Sequence, residues 1–310
     1  MRLGLSHIAA IVALATATAA SAQTPPANPP AAAPTATPAP AAPPPFATTK
    51  VEGTENVYTF RYGGYLSMFV VMPDGVIATD PAGLRRPQAV TTYIDEIKKV
   101  TNAPIRYVVY SHHHFDHVAG GKPFKDLGAT FVAHKRTKER LLEVNNPDVV
   151  LPDEVVEDKR TIELGGTALE LSYVGRNHSD GMLVMRLPRE KIIFAVDFIP
   201  IQGLLWRNMP DSWPREWEES LRKVIAMDWE RMIPGHPGPG GRLGTKEDAA
   251  NVLAYMQDLS AEVKKAADTG KCFDTAMREV KLPKYQTWAN YETYLSGNVE
   301  RYCGLWNNGM

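Results

Sequence analysis

The 310-residue sequence predicts an α/β protein, of the mixed α+β kind, in which two β-sheets pack face to face with helices outside. Three observations predict it: two separate groups of short β-branched and aromatic runs, amphipathic helical patterns between and after them, and no repeat or internal linker beyond about residue 50. A composition of 44% hydrophobic and 22% charged residues suffices for a sizeable core and excludes a wholly disordered chain. Lys and Arg number 34 against 35 Asp and Glu, so the net charge of −1 offers no electrostatic case for a nucleic-acid partner or an anionic membrane surface. Function must come from a local site.

Residues 1–22 carry one charge, Arg2, then an apolar stretch through Ile8, Ile11, Val12 and Leu14, and end in Ala20-Ser21-Ala22 before Gln23. This pattern reads as a cleaved secretory signal and predicts a periplasmic or secreted protein with no stable membrane insertion after cleavage. The stretch is rich in Ala and Thr rather than Leu, which argues against a retained anchor. Residues 23–49 hold no charge, ten of the 25 prolines and nine alanines, and read as an extended polyproline-like tether outside the fold. A single domain is expected over 50–310.

Within it, strands are expected at 57–62, 67–72 and 76–79, broken by Gly63-Gly64 and Pro73-Asp74-Gly75. Val90, Ile94 and Ile97 keep helical spacing over 88–100, and a buried strand follows at 105–110. A second group of strands is expected at 130–133, 161–164, 168–174, 183–187 and 191–196. Two later helices show in Trp213, Trp217, Leu221 and Val224, and in Val252, Met256, Leu259 and Val263 behind a Thr245 to Asp248 capping pattern. Trp288, Tyr291, Tyr294 and Leu295 fall on a last helix, which packs on the core or helps form a dimer; the oligomeric state stays open. Cys272 and Cys303 form either two buried thiols or a disulfide, the latter worth about 3 to 4 kcal/mol on the chain-entropy model.

Seven of the eight histidines lie beyond the signal, and four of them fall in Ser111-His112-His113-His114-Phe115-Asp116-His117, straight after a buried strand. A loop leaving such a strand can aim His112 and His114 together while Asp116 and His117 reach a second position nearby. Further candidates stand at strand ends: His178 within Gly175–Gly181, Asp197 after Ile192-Ile193-Phe194-Ala195-Val196, and His236 within Ile233-Pro234-Gly235-His236-Pro237. Five histidines and two aspartates supply enough donors for two metals bridged by one carboxylate, and imidazole with carboxylate suits zinc and also iron or manganese.

With these motifs the sequence resembles the metallo-β-lactamase superfamily from residue 50 to about 240, through an HxHxDH signature and three ordered downstream motifs. The resemblance implies that family's four-layer αβ/βα sandwich with a dinuclear site at one edge. It implies that His112, His114 and His178 hold the first of two Zn²⁺ ions, that Asp116, His117 and His236 hold the second, and that Asp197 bridges them. Asp80, at the end of 76–79, matches the family's first motif and would orient the ligand loop. His113 and His134 receive no ligand role.

The implied chemistry is attack of a metal-activated water on a carbonyl carbon of a small molecule, with Asp116 also handling a proton. The expected function is an exported dinuclear zinc-dependent hydrolase of an ester, lactone or related acyl compound. One alternative is a β-lactamase, although secreted β-lactamases with this ligand set typically carry Ser at the Asp197 position. Another is an iron-dependent oxidoreductase of the sulfur-dioxygenase type. Trp206 and Arg207, with Leu204, Leu205, Met209 and Trp213, are candidates for a substrate pocket, core packing being the other reading of that segment; Arg176 is a second candidate for a substrate carboxylate.

Overall fold

Val57–Tyr62 (β2) and the largely buried Tyr65–Met72 (β3) pair antiparallel as a hairpin across Gly63-Gly64 in the computed structural model, which describes residues 44–309. The predicted signal and residues 23–43 of the predicted tether lie outside the described residues. Tether composition ends earlier than expected, because Phe46–Lys50 (β1) pairs antiparallel with β2 and Phe46 stacks on Tyr62 with ring centroids 6.4 Å apart. Once the prolines stop, these residues have N–H groups to offer a ladder.

Gly75–Thr79 (β4) pairs antiparallel with β3, and Ile105–Val109 (β5), Thr130–His134 (β6) and Glu154–Val156 (β7) continue the sheet in parallel, giving the order β1-β2-β3-β4-β5-β6-β7. Parallel neighbours need crossovers. Pro87–Val100 (α1) supplies the first, burying Val90, Tyr93, Ile94 and Ile97. Phe115–Val118 (α2) and Lys122–Asp126 (α3) supply the second, and Lys135–Val144 (α4) the third. Residues 130–133, expected with the later strands, thus belong to the first sheet.

Lys159–Leu164 (β8), Thr167–Tyr173 (β9), Leu183–Leu187 (β10) and Ile192–Phe194 (β11) form an antiparallel second sheet, to which Arg231–Ile233 (β12) adds in parallel after Pro214–Ala226 (α5). Between the sheets Val70, Ile77, Val109 and Val132 pack in one core with Leu169, Leu171, Met185 and Phe194. Outside, α1 packs with Phe69, Val108 and Phe131, while α5, Lys246–Ala267 (α6) and Tyr291–Asn308 (α8) cover the second sheet, completing a four-layer αβ/βα sandwich. The expected capping box forms: Thr245 Oγ1 accepts from Asp248 N, and the Asp248 carboxylate accepts from Thr245 N at 2.8 Å. A short helix, Ala276–Glu279 (α7), precedes α8. Trp288 lies just before α8 rather than on it. Cys272 and Cys303 are joined as a disulfide, Cα atoms 5.5 Å apart, tying the segment after α6 to α8. No helix among the described residues is long and apolar enough to cross a membrane.

Candidate metal centre

The site is assembled from strand ends. After β4 the backbone turns at Asp80 (φ 29°), whose buried carboxylate accepts from Ser111 N at 2.8 Å and Ser111 Oγ at 2.6 Å and lies 3.4 Å from His117 Nδ1. Asp80 therefore fixes the start of the histidine loop. Ser111 Oγ, already donating to Asp80, accepts from His112 Nδ1 at 2.9 Å, which leaves the His112 Nε2 lone pair facing inward. On the loop after β12, His236 Nδ1 donates to Gly64 O at 2.7 Å, so its Nε2 is also free to accept. His178, between β9 and β10, packs edge-on against Trp217.

Asp197, after β11, stands in the middle. Its Oδ2 is 3.1 Å from His117 Nε2, 3.5 Å from His178 Nε2 and 3.7 Å from His112 Nε2, and its Oδ1 is 3.1 Å from His236 Nε2. Donor atoms of His112, His114, His178 and Asp197 lie within 4.8 Å of one another, as do those of Asp116, His117, Asp197 and His236. All seven residues nominated as ligands thus converge, with Asp80 behind them. His112 Nε2 is buried and has no hydrogen-bond partner, a state that costs about 1–3 kcal/mol unless something accepts its lone pair. A divalent cation meets that need, so the donor set fits a metal.

The two groups differ electrostatically. Burial, reinforced by neighbouring His114, pushes His112 well below its ordinary value and His178 down to about 4. Burial also opposes charge on His117, but Asp197 and Asp116 outweigh it and raise that ring well above its ordinary value. His236 is likewise raised by Asp197 against desolvation. Asp197 is held well below the carboxylate range by His236 and His117 despite its burial.

Residues 74–236 match the metallo-beta-lactamase superfamily. This chain belongs to that superfamily. Among characterised members, the 2,4-dinitroanisole O-demethylase subunit alpha of Nocardioides sp. (strain JS1661) is 25% identical over 196 residues, 62% of this chain but only 58% of that protein. The metallo-beta-lactamase type 2 of Bacillus cereus is 23% identical over 61% of this chain and 76% of its own. The hydroxyacylglutathione hydrolase of Pelagibacter ubique (strain HTCC1062) is 35% identical over 51% of this chain and 59% of its own. The metallo-beta-lactamase from Pontibacter korlensis superposes with a TM-score of 0.58 at 20% identity, covering 68% of this chain and 99% of that structure, which shows the metallo-beta-lactamase fold.

One residue of this superfamily member's site escapes motif reading. Asp211, on the segment between β11 and α5, places Oδ2 2.8 Å from His114 Nε2 and 3.3 Å from His113 Nε2. Its burial is outweighed by the hydrogen bonds with His113 and His114, and its carboxyl lies far below the ordinary range. With Nε2 engaged by Asp211, His114 presents Nδ1 towards His178 Nε2, 3.1 Å away. His113, His114 and Asp211 form a third group of donor atoms within 4.8 Å, but His114 is shared with the first group, so Asp211 is better understood as orienting that ring. His134 is structural: Nδ1 accepts from Arg136 N to cap α4, and Nε2 donates to Glu157 O.

The segment around Trp206 is divided between core and surface. Leu204, Leu205 and Met209 are buried in the core beneath α8. Trp206 is exposed, with the Arg207 guanidinium 5.5 Å from its ring and 6.0 Å from that of Tyr294. Among the described residues, neither side chain is joined by a hydrogen bond or ion pair to the histidine cluster. Arg176 is paired with Glu216.

Proposed function

We propose that this chain is a metal-dependent hydrolase that holds two Zn²⁺ ions and cleaves an ester, lactone or related acyl bond in a small molecule. The observation that carries the reading is Asp197, one carboxylate facing both histidine groups at 3.1–3.7 Å. His112, His114 and His178 would hold the first ion and Asp116, His117 and His236 the second, with the Asp197 carboxylate available to both. When bound, such a pair supplies water acidified towards neutrality and a Lewis acid for the carbonyl oxygen.

The chain's own residues supply the rest. Asp116 keeps 30% of its side chain open to solvent, with Oδ2 3.5 Å from His117 Nε2 and 3.9 Å from His236 Nε2. It is placed to take a proton and return it to the leaving group. The Asp80–Ser111–His112 chain and Gly64 O set the tautomers of His112 and His236, and Asp211 sets that of His114. The acyl reading is supported by a relative named as a hydroxyacylglutathione hydrolase, at 35% identity. The relative named metallo-beta-lactamase type 2 favours a β-lactam substrate as the second reading. Residues 1–22 support export to the periplasm or medium.

The test is hydrolysis by the mature protein of a lactone, a thioester and a chromogenic cephalosporin, after chelation and zinc rescue, without oxygen. Zinc-restored cleavage of lactone or thioester is expected. A zinc-dependent cephalosporin kcat/KM above about 10⁴ M⁻¹s⁻¹ would install the β-lactam reading instead. Turnover that requires iron and oxygen would replace hydrolysis with the oxidoreductase alternative.

A further inference from the structure

The segment carrying Asp211 is held in an unfavourable backbone conformation. Gln202, Arg207 and Met209 have φ of 48°, 45° and 47°, a left-handed geometry that costs non-glycine residues on the order of 1–3 kcal/mol each. Such a segment keeps its shape only when its surroundings enforce it. Here they come from residues beyond 74–236, the stretch that matches the superfamily. Leu204 N donates to Ala289 O at 3.1 Å, and Ala289 N to Gln202 O at 2.8 Å. On α8, fully buried Asn298 donates through Nδ2 to Leu205 O at 2.9 Å and also to Arg207 O. Its Oδ1 accepts from Tyr255 Oη of α6 at 2.8 Å. The neighbouring Gly297 lies so close that a Cβ there would stand 3.0 Å from the backbone of Arg207 and Asn208.

We infer that Asn298 is a positioning residue for the first metal group: by clamping the Leu205 and Arg207 carbonyls it seats Asp211 on His114. This rests on the metal reading above. The amide is satisfied only in this arrangement, with both donor contacts on the strained segment and its acceptor on α6. Without it two carbonyls and one phenol lose their partner, so the strained backbone leading into Asp211 is loosened from four residues before it, while Ser212 O and Trp213 N keep the following residues tied to Arg301 and Asn177. His114 then loses the hydrogen bond that fixes its ring, a change that typically weakens metal binding about tenfold or more. Asp211 makes no hydrogen bond to Asp116, His117 or His236, so the second group is spared.

Full-length metal-free protein is titrated with zinc against a chromophoric chelator, with His178→Ala marking the phase that belongs to the first group. Asn298→Ala and Asp211→Ala are each expected to weaken that phase about tenfold. The double variant should be no weaker than Asp211→Ala alone, and the cobalt(II) absorption of the first group should change alike in all three. Losses that multiply in the double variant, or a lowered melting temperature with unchanged zinc affinity, overturn the inference. Gly297→Ala keeps the buried amide and presses on the same backbone, so it should weaken the same phase; unchanged affinity there also overturns it. Wild-type protein that binds no zinc overturns the metal reading itself, a result seen before any variant is made.

Discussion

The two histidine groups use the same side-chain types, but His112 and His178 are shifted in the opposite direction from His117 and His236. His112 and His178 are enclosed, 0% and 5% exposed, and burial keeps them neutral. His117 faces Asp197 and Asp116, and His236 faces Asp197, and these carboxylates favour the protonated rings against desolvation. An imidazole kept neutral by burial has its lone pair ready, whereas one charged by a carboxylate must shed a proton before it can bind metal. His112 and His178 are thus prepared by desolvation, and His117 and His236 by charge exchange.

Removing the shared carboxylate breaks this comparison most severely. Asp197→Ser is expected to weaken zinc binding at both groups and to lower hydrolysis by about 10²–10³; unchanged affinity for both ions, read by zinc titration, would contradict bridging. Asp116→Ala should cut turnover by about 10² while first-group zinc binding and the fold persist. Near-normal kcat would remove Asp116 from proton handling. Calorimetry at pH 7 in buffers of different ionisation enthalpy should show more protons released on filling the second group than on filling the first. Equal release would erase the distinction.

The mildest test is the stability of metal-free protein against pH. His178 has a folded value of about 4, below the ordinary 6.5, so its contribution is complete above pH 6.5 and disappears as pH falls towards 4. His117 is raised, so its contribution is complete below pH 6.5 and is lost as pH climbs through its folded value. Their sum should give a melting temperature highest near pH 6.5, with zinc shifting and raising the curve. A monotonic rise to pH 9 would show that the opposed shifts are absent.

The convergence of the seven candidate ligands is legible in the sequence because its signals are local. Four of the seven residues share one heptapeptide after a strand, and the others end strands whose apolar runs are themselves readable. Asp80 was legible for the same reason. Asp211 was not: in Pro210-Asp211-Ser212 it has the chemistry of any helix-entry turn, and only the path from Asp197 to α5 brings it to His114. Strand β6 was assigned to the wrong sheet because a β-branched run does not state its neighbour. The segment around Trp206 contains the expected apolar residues, but α8, more than eighty residues later in the chain, decides which of them are buried. Periodicity reveals elements, while partners distant in sequence decide exposure.

In both sheets, strand order follows chain order. Strands β1 to β7 lie side by side in succession, and β8 to β12 do the same, so each sheet comes from one continuous stretch, 46–156 and then 159–233. Within each, the antiparallel neighbours can pair across short turns, whereas the parallel pairs must wait for their helical crossovers. The metal centre cannot form that way. Asp80, His112, His114, Asp116 and His117 come from the first stretch, and His178 and Asp197 from the second, with His236 just after it. Assembly of the centre therefore requires the two stretches to be brought together, so metal binding reports that both sheets have packed on their shared core.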